Sequence, residues 1–128
     1  MDDQQCLESF RLFLAALWLG CRRSPTDTTT PVIPGDELAF AKVIDEEICR
    51  GCEYAARFNV LGQRGSRMCE DFRRGLSLAG REGLTSTRGH GFCIEMRQRA
   101  VAELQAHYHF QDAARIASRY LEEVIEIQ

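Results

Sequence analysis

Between Asp36 and Leu61, apolar or small side chains recur at Leu38, Ala41, Ile44, Ile48, Cys52, Ala55 and Phe58. Steps of three and four residues draw a single stripe along a helix of 3.6 residues per turn. Asp45, Glu46, Glu47, Arg50, Glu53 and Arg57 fall off that stripe, as a solvated face should. Pro34-Gly35-Asp36 stops the segment before it, and the Asp36 carboxylate can accept from the free amides of a first helical turn. Gly62 follows directly and can close the helix in the left-handed conformation. The spacing therefore predicts a helix over residues 36–61, central to the fold. Gly51 is its flaw, at a cost of up to ~1 kcal/mol against alanine in a helix interior. Lying between Cys49 and Cys52, Gly51 would let another helix come close.

Four further helical segments are predicted, and no stretch sustains the alternation that a half-buried strand requires. Residues 3–19 form the first, with Asp2 and Gln5 spaced as a capping box. Leu7, Phe10, Leu14, Leu17 and Cys21 make its stripe, and Leu12, Phe13, Ala16, Trp18 and Leu19 extend the apolar surface around the other sides. A domain of this size hardly encloses one helix completely, so a surplus apolar face here is a motive for binding another protein. Residues 22–35 hold all three prolines and a threonine run and read as an extended linker, pinned by Val32 and Ile33. A helix over 66–79, with Ser66 as N-cap, is followed by a glycine- and arginine-rich surface loop over 80–91. Residues 92–109 and 112–127 carry two stripes out of register, so the chain breaks between them, with Asp112 as the second N-cap. The expected fold is one all-α domain over residues 1–128, a compact bundle of four or five helices with no sheet.

A chain of 128 residues, nearly half of them hydrophobic, buries roughly two-thirds of its unfolded surface and needs no staples. The acidic start MDDQQ lacks the positive region of a secretory signal. The apolar run from Leu12 to Cys21 is half the ~20 residues that span a bilayer. The six cysteines are accordingly expected as free thiols in a reducing, cytoplasmic setting; a mitochondrial compartment is the alternative.

The cysteine pair of CRGC, Cys49 and Cys52, puts two thiols on one side of a helix. Redox catalysis places such a pair at the first turn of a helix after a strand, where the dipole lowers a thiol pKa. Three turns into a helix that advantage is absent. Zinc would draw its remaining ligands from Cys69, His90 and Cys93, whose spacing matches no common zinc module, and buried free cysteines serve as small hydrophobes. No phosphate loop, dinucleotide fingerprint or nucleophile elbow is present, so neither catalysis nor a cofactor is expected.

Charge is distributed more tellingly. Residues 1–49 hold four basic and nine acidic side chains, residues 50–100 ten and five, and residues 101–128 two and five. A basic middle is thus flanked by acidic ends. Arg64, Arg67, Arg73, Arg74, Arg81 and Arg88 cluster in its glycine-punctuated part. Guanidinium groups there suit an acidic protein surface or a phosphate backbone. Equally, they can pair with the chain's own Glu37, Asp45, Glu46 and Glu47 or with its acidic tail. Base-stacking aromatics are missing between Arg64 and Arg88, where only Phe72 is aromatic. The expected function is that of a non-enzymatic protein-interaction module, a small subunit or adaptor in a hetero-complex or homo-oligomer. Phe10, Phe13, Leu17, Trp18 and the six arginines would meet the partner. Nucleic-acid binding through residues 64–99 is the alternative, and a thiol or metal protein using Cys49 and Cys52 comes third.

Overall fold

The computed structural model describes residues 1–21, 31–62 and 67–125. Among the described residues five helices are packed with a small sheet: α1 (Asp3–Cys21), β1 (Ile33–Pro34), α2 (Glu37–Cys49), α3 (Glu70–Arg81), β2 (Thr85–Arg88), β3 (Gly91–Ile94), α4 (Gln98–Gln105) and α5 (Phe110–Ile125). A single 3₁₀ turn, Ala55–Arg57, follows α2. The strands form one antiparallel sheet in the order β1-β3-β2, with Ile33 opposite Phe92 and Thr87 opposite Phe92 from the other side. The all-α expectation is therefore corrected to a mixed fold, mostly helical with a three-stranded sheet. Among the described residues no helix is long and apolar enough to cross a membrane.

Helix α1 starts as its capping box requires. The Gln5 amide donates to Asp2 Oδ1 at 2.8 Å and the Asp2 amide to Gln5 Oε1 at 3.1 Å. Its whole middle, Phe10 and Leu12 to Leu17, is buried. The apolar surplus is consumed inside the domain, because α3, α4 and α5 all pack on this one helix. Phe40 of α2 stands at the centre of an aromatic cluster, with Phe13 and Phe72 at 4.9 Å, Phe58 at 5.3 Å, and Phe10 and Tyr120 at 6.3 Å. Rings at these tilted and edge-on angles add to their area burial. Tyr120 also joins the layers: its hydroxyl donates to Pro34 O at 2.5 Å and accepts from the Asp36 amide at 2.9 Å.

Helix α2 begins at Asp36, whose carboxylate accepts from the Ala39 amide at 3.1 Å. It ends twelve residues before the expected boundary at Leu61. Gly51 adopts φ +85°, its amide donates to Ile48 O and the Cys52 amide donates to Glu47 O at 3.0 Å. Those two bonds and the left-handed glycine are a Schellman cap. Gly51 is thus the residue that stops the helix, rather than a flaw inside it. The stripe continued to Phe58 only because the chain turns back into the same core, where Ala55 and Phe58 are buried.

Downstream, α3 begins at Glu70 with Cys69 as N-cap, and its amide is satisfied from outside by Glu37 Oε2 at 3.0 Å. The expected cap Ser66 and Arg64 lie outside the described residues, as do residues 22–30 of the linker and 126–128 of the tail. From the linker, Ile33 is buried in β1 while Val32 is exposed. The expected loop over 80–91 is instead the end of α3 and a hairpin, whose turn uses Gly89 at φ +58°. The expected helix over 92–109 is strand β3 followed by α4. The expected break is present but earlier: α4 ends at Gln105 and α5 begins at Phe110, so Asp112 lies inside its first turn rather than at its N-cap.

Candidate functional site

One side of α2 faces the core through Ala39, Phe40, Val43, Ile44 and Glu47. The other side presents Leu38, Lys42, Asp45 and Cys49, at helical spacing, to an open groove of about 930 Å³. Leu38, on the stripe expected to be buried, is 51 % exposed. Phe40 and Val43 take the interior together with Ala41 and Ile44 of the stripe, and their combined apolar area outweighs that of Leu38 alone. Lys42 meets Glu123 at 2.8 Å and Arg67 meets Asp45 at 3.1 Å, so both rims of the groove are cross-braced by ion pairs. Next in the chain to Arg67, Met68 exchanges backbone hydrogen bonds with Leu61 at 2.9 and 2.8 Å, and both side chains are exposed.

At the C-terminal end of α2, Glu47 is fully buried and held by arginines from α5. Its Oε1 accepts from Arg115 Nε and Nη2 at 2.8 and 2.6 Å, and its Oε2 accepts from Arg119 Nη1 at 3.0 Å. Arg50 reaches Oε2 at 3.5 Å. Burial pushes this carboxyl upward, but the hydrogen bonds and charges of Arg115 and then Arg119 outweigh it, and the net shift is below the ordinary value of 4.5. Arg115 also donates to Cys52 Sγ at 3.7 Å. Next to this clamp a cleft of about 720 Å³ is bordered by Tyr108, His109 and Asp112. His109 is buried against the Tyr54 ring, with centroids 5.8 Å apart. Desolvation, then the Arg57 and His107 charges, hold its pKa below the ordinary range.

The residues singled out in the sequence scatter. Phe10, Phe13 and Leu17 are fully buried core, and Trp18 is half-buried at the edge of α1. Arg67 pairs with Asp45, Arg73 with Glu37 at 2.6 Å, and Arg74 with Asp3 at 2.8 Å. Arg81 and Arg88 are exposed at the hairpin end of the molecule. Cys49 is exposed and Cys52 partly so, whereas Cys69 and Cys93 are buried; all six cysteines are free. His90 sits at the hairpin turn. Among the described residues no three His, Cys, Asp or Glu side chains come together as metal ligands, so the zinc candidates are not assembled. The groove has no marker in the sequence beyond the helical spacing that puts Leu38, Lys42, Asp45 and Cys49 on one face. No family model, curated protein or solved structure matches the chain.

Proposed function

We propose that this chain is a non-enzymatic protein-binding module, a small subunit or adaptor, that seats an amphipathic helix of a partner along the exposed face of α2. The observation that carries this reading is Leu38, half exposed in a groove whose rims alternate acidic and basic groups. An amphipathic helix whose apolar stripe meets Leu38, Ala39 and Cys49 and whose charges meet the surrounding acidic and basic groups fits such a groove. Exposed Met68, next in the chain to Arg67 of the groove, and its bridge partner Leu61 offer further apolar surface to a partner. The pairing of Arg67, Arg73 and Arg74 with carboxylates of the same chain supports a protein partner over a nucleic-acid backbone.

A photo-crosslinking amino acid at position 49, inside the groove, tests the reading in native cells, with position 102 on the exposed side of α4 as control. A discrete adduct from position 49 that disappears with Leu38→Glu, and none from position 102, is the expected result. Absence of an adduct from position 49, or one indifferent to Leu38→Glu, overturns it.

A further inference from the structure

We propose that the cleft between α3 and the β2–β3 hairpin is a binding site for a small phosphate monoester carrying an apolar group. The cleft encloses about 540 Å³, within the range of small-molecule sites. Ser77 and Arg81 of α3 form one wall, and Thr85, Thr87 and His90 of the hairpin the other, over a floor of Leu76 and Phe92. Thr85 and Thr87 are two apart on β2 and therefore share a face of the sheet, the same face as Phe92 opposite Thr87. That alternation delivers two hydroxyls and a ring to one cleft.

Two contrasts with the rest of the surface point to an anion. No carboxylate lines this cleft, whereas acidic residues border both the α2 groove and the Glu47 cleft. Arg81, like Arg88 and Arg97 but unlike Arg67, Arg73 and Arg74, has no carboxylate within ion-pair distance among the described residues, and of the three it is the one that lines a cleft free of carboxylates. An unpaired guanidinium beside several hydroxyls offers planar, bidentate recognition of phosphate oxygens. The C-terminal carbonyls of α3 would ordinarily repel an anion. Here Leu78 O, Ala79 O and Gly80 O accept from the Glu82, Leu84 and Gly83 amides at 3.2, 2.9 and 3.1 Å, which moderates that field. Gly80 and Gly89 are among the lining residues and carry no side chain, so a ligand can approach the backbone closely there. The Leu76 and Phe92 floor accounts for the apolar group.

The test is a titration of the isotope-labelled full chain with phenyl phosphate, followed by amide NMR shifts, with inorganic phosphate and a short single-stranded oligonucleotide in parallel. Expected are saturable shifts at Ser77, Thr87 and His90 with a Kd at or below about 1 mM for phenyl phosphate, and weaker shifts of the same amides with inorganic phosphate. Arg81→Gln, on an exposed side chain, should weaken binding at least about tenfold, and Arg99→Gln on α4 should leave it unchanged. Absence of saturable shifts, equal affinity in Arg81→Gln, or tighter binding of the oligonucleotide at these amides overturns the proposal.

Discussion

Replacing Glu47 by glutamine removes one buried charge and leaves the shape of the side chain almost intact. The carboxylate accepts three hydrogen bonds of 3.0 Å or less from Arg115 and Arg119. Charge-assisted bonds of this kind contribute about 1.5–3 kcal/mol each, and breaking a buried pair costs about 3–5 kcal/mol when the remaining charge is trapped. Here the remaining charges are not trapped, because the Arg115 and Arg119 side chains are 46 % and 23 % exposed and can turn to water. Glu47→Gln should therefore cost about 2–3 kcal/mol, toward the lower end of those figures. At about 4 °C per kcal/mol for a domain of this length, that lowers Tm by roughly 10 °C. Urea unfolding of Glu47→Gln, Arg115→Gln and the double variant measures it, with a coupling of about 1 kcal/mol or more expected for the pair.

The pH dependence supplies a separate sign. The folded-state pKa of Glu47 lies below its ordinary value of 4.5. The stabilisation is therefore complete above the unfolded value and is lost as pH falls through the folded one. The gap between wild type and Glu47→Gln should be full at neutral pH and close progressively in the acid range below the ordinary value. A Glu47→Gln variant within about 0.5 kcal/mol of wild type at neutral pH, or a gap that widens in acid, would refute the clamp.

Other perturbations separate the structure from its alternatives. Gly51→Ala should destabilise by about 1 kcal/mol, since alanine at φ +85° is strained; a helix running through position 51 would instead be stabilised, so chemical denaturation gives opposite signs. Gly75→Ala places a Cβ 2.5 Å from Phe10 Cγ, and overpacking at about 1–3 kcal/mol should exceed the helix-propensity gain of up to ~1 kcal/mol. A Gly75→Ala protein with a raised Tm would contradict that contact. Timed alkylation with mass mapping should label Cys49 and Cys52 before Cys6 and Cys69. Burial pushes the Cys6 thiol up and takes that of Cys69 to about 12; early labelling of Cys69 would be incompatible with its position.

Where local chemistry decides an element, the sequence was a good guide. The capping pair Asp2 and Gln5, the N-cap Asp36 and the register slip between α4 and α5 are all realised, because each depends on residues a few positions apart. The strands were not legible: β2 and β3 are four residues each and β1 two, too short for alternation to rise above chance. β2 and β3 pair locally across the Gly89-His90 turn, but the third strand depends on Ile33 meeting Phe92 across nearly sixty residues, which no local pattern records. Gly51 looks like a helix-interior residue for a related reason: the turn returns Ala55 and Phe58 to the same core and so imitates helical periodicity. At the site, the arginines and two of their partners are legible as charge, since Arg67 meets Asp45 and Arg73 meets Glu37, whereas Leu38 faces outward because Phe40 and Val43 lie off its stripe and together bury more apolar surface.

The most direct measurement is size-exclusion of the native extract, following wild type and Leu38→Glu at low concentration. Wild type is expected in a complex well above its own 14.5 kDa, with Leu38→Glu shifted to the free position while retaining a wild-type melting curve. Elution of the wild-type chain at the free position, or a large complex that Leu38→Glu leaves intact, would contradict a partner helix seated on α2.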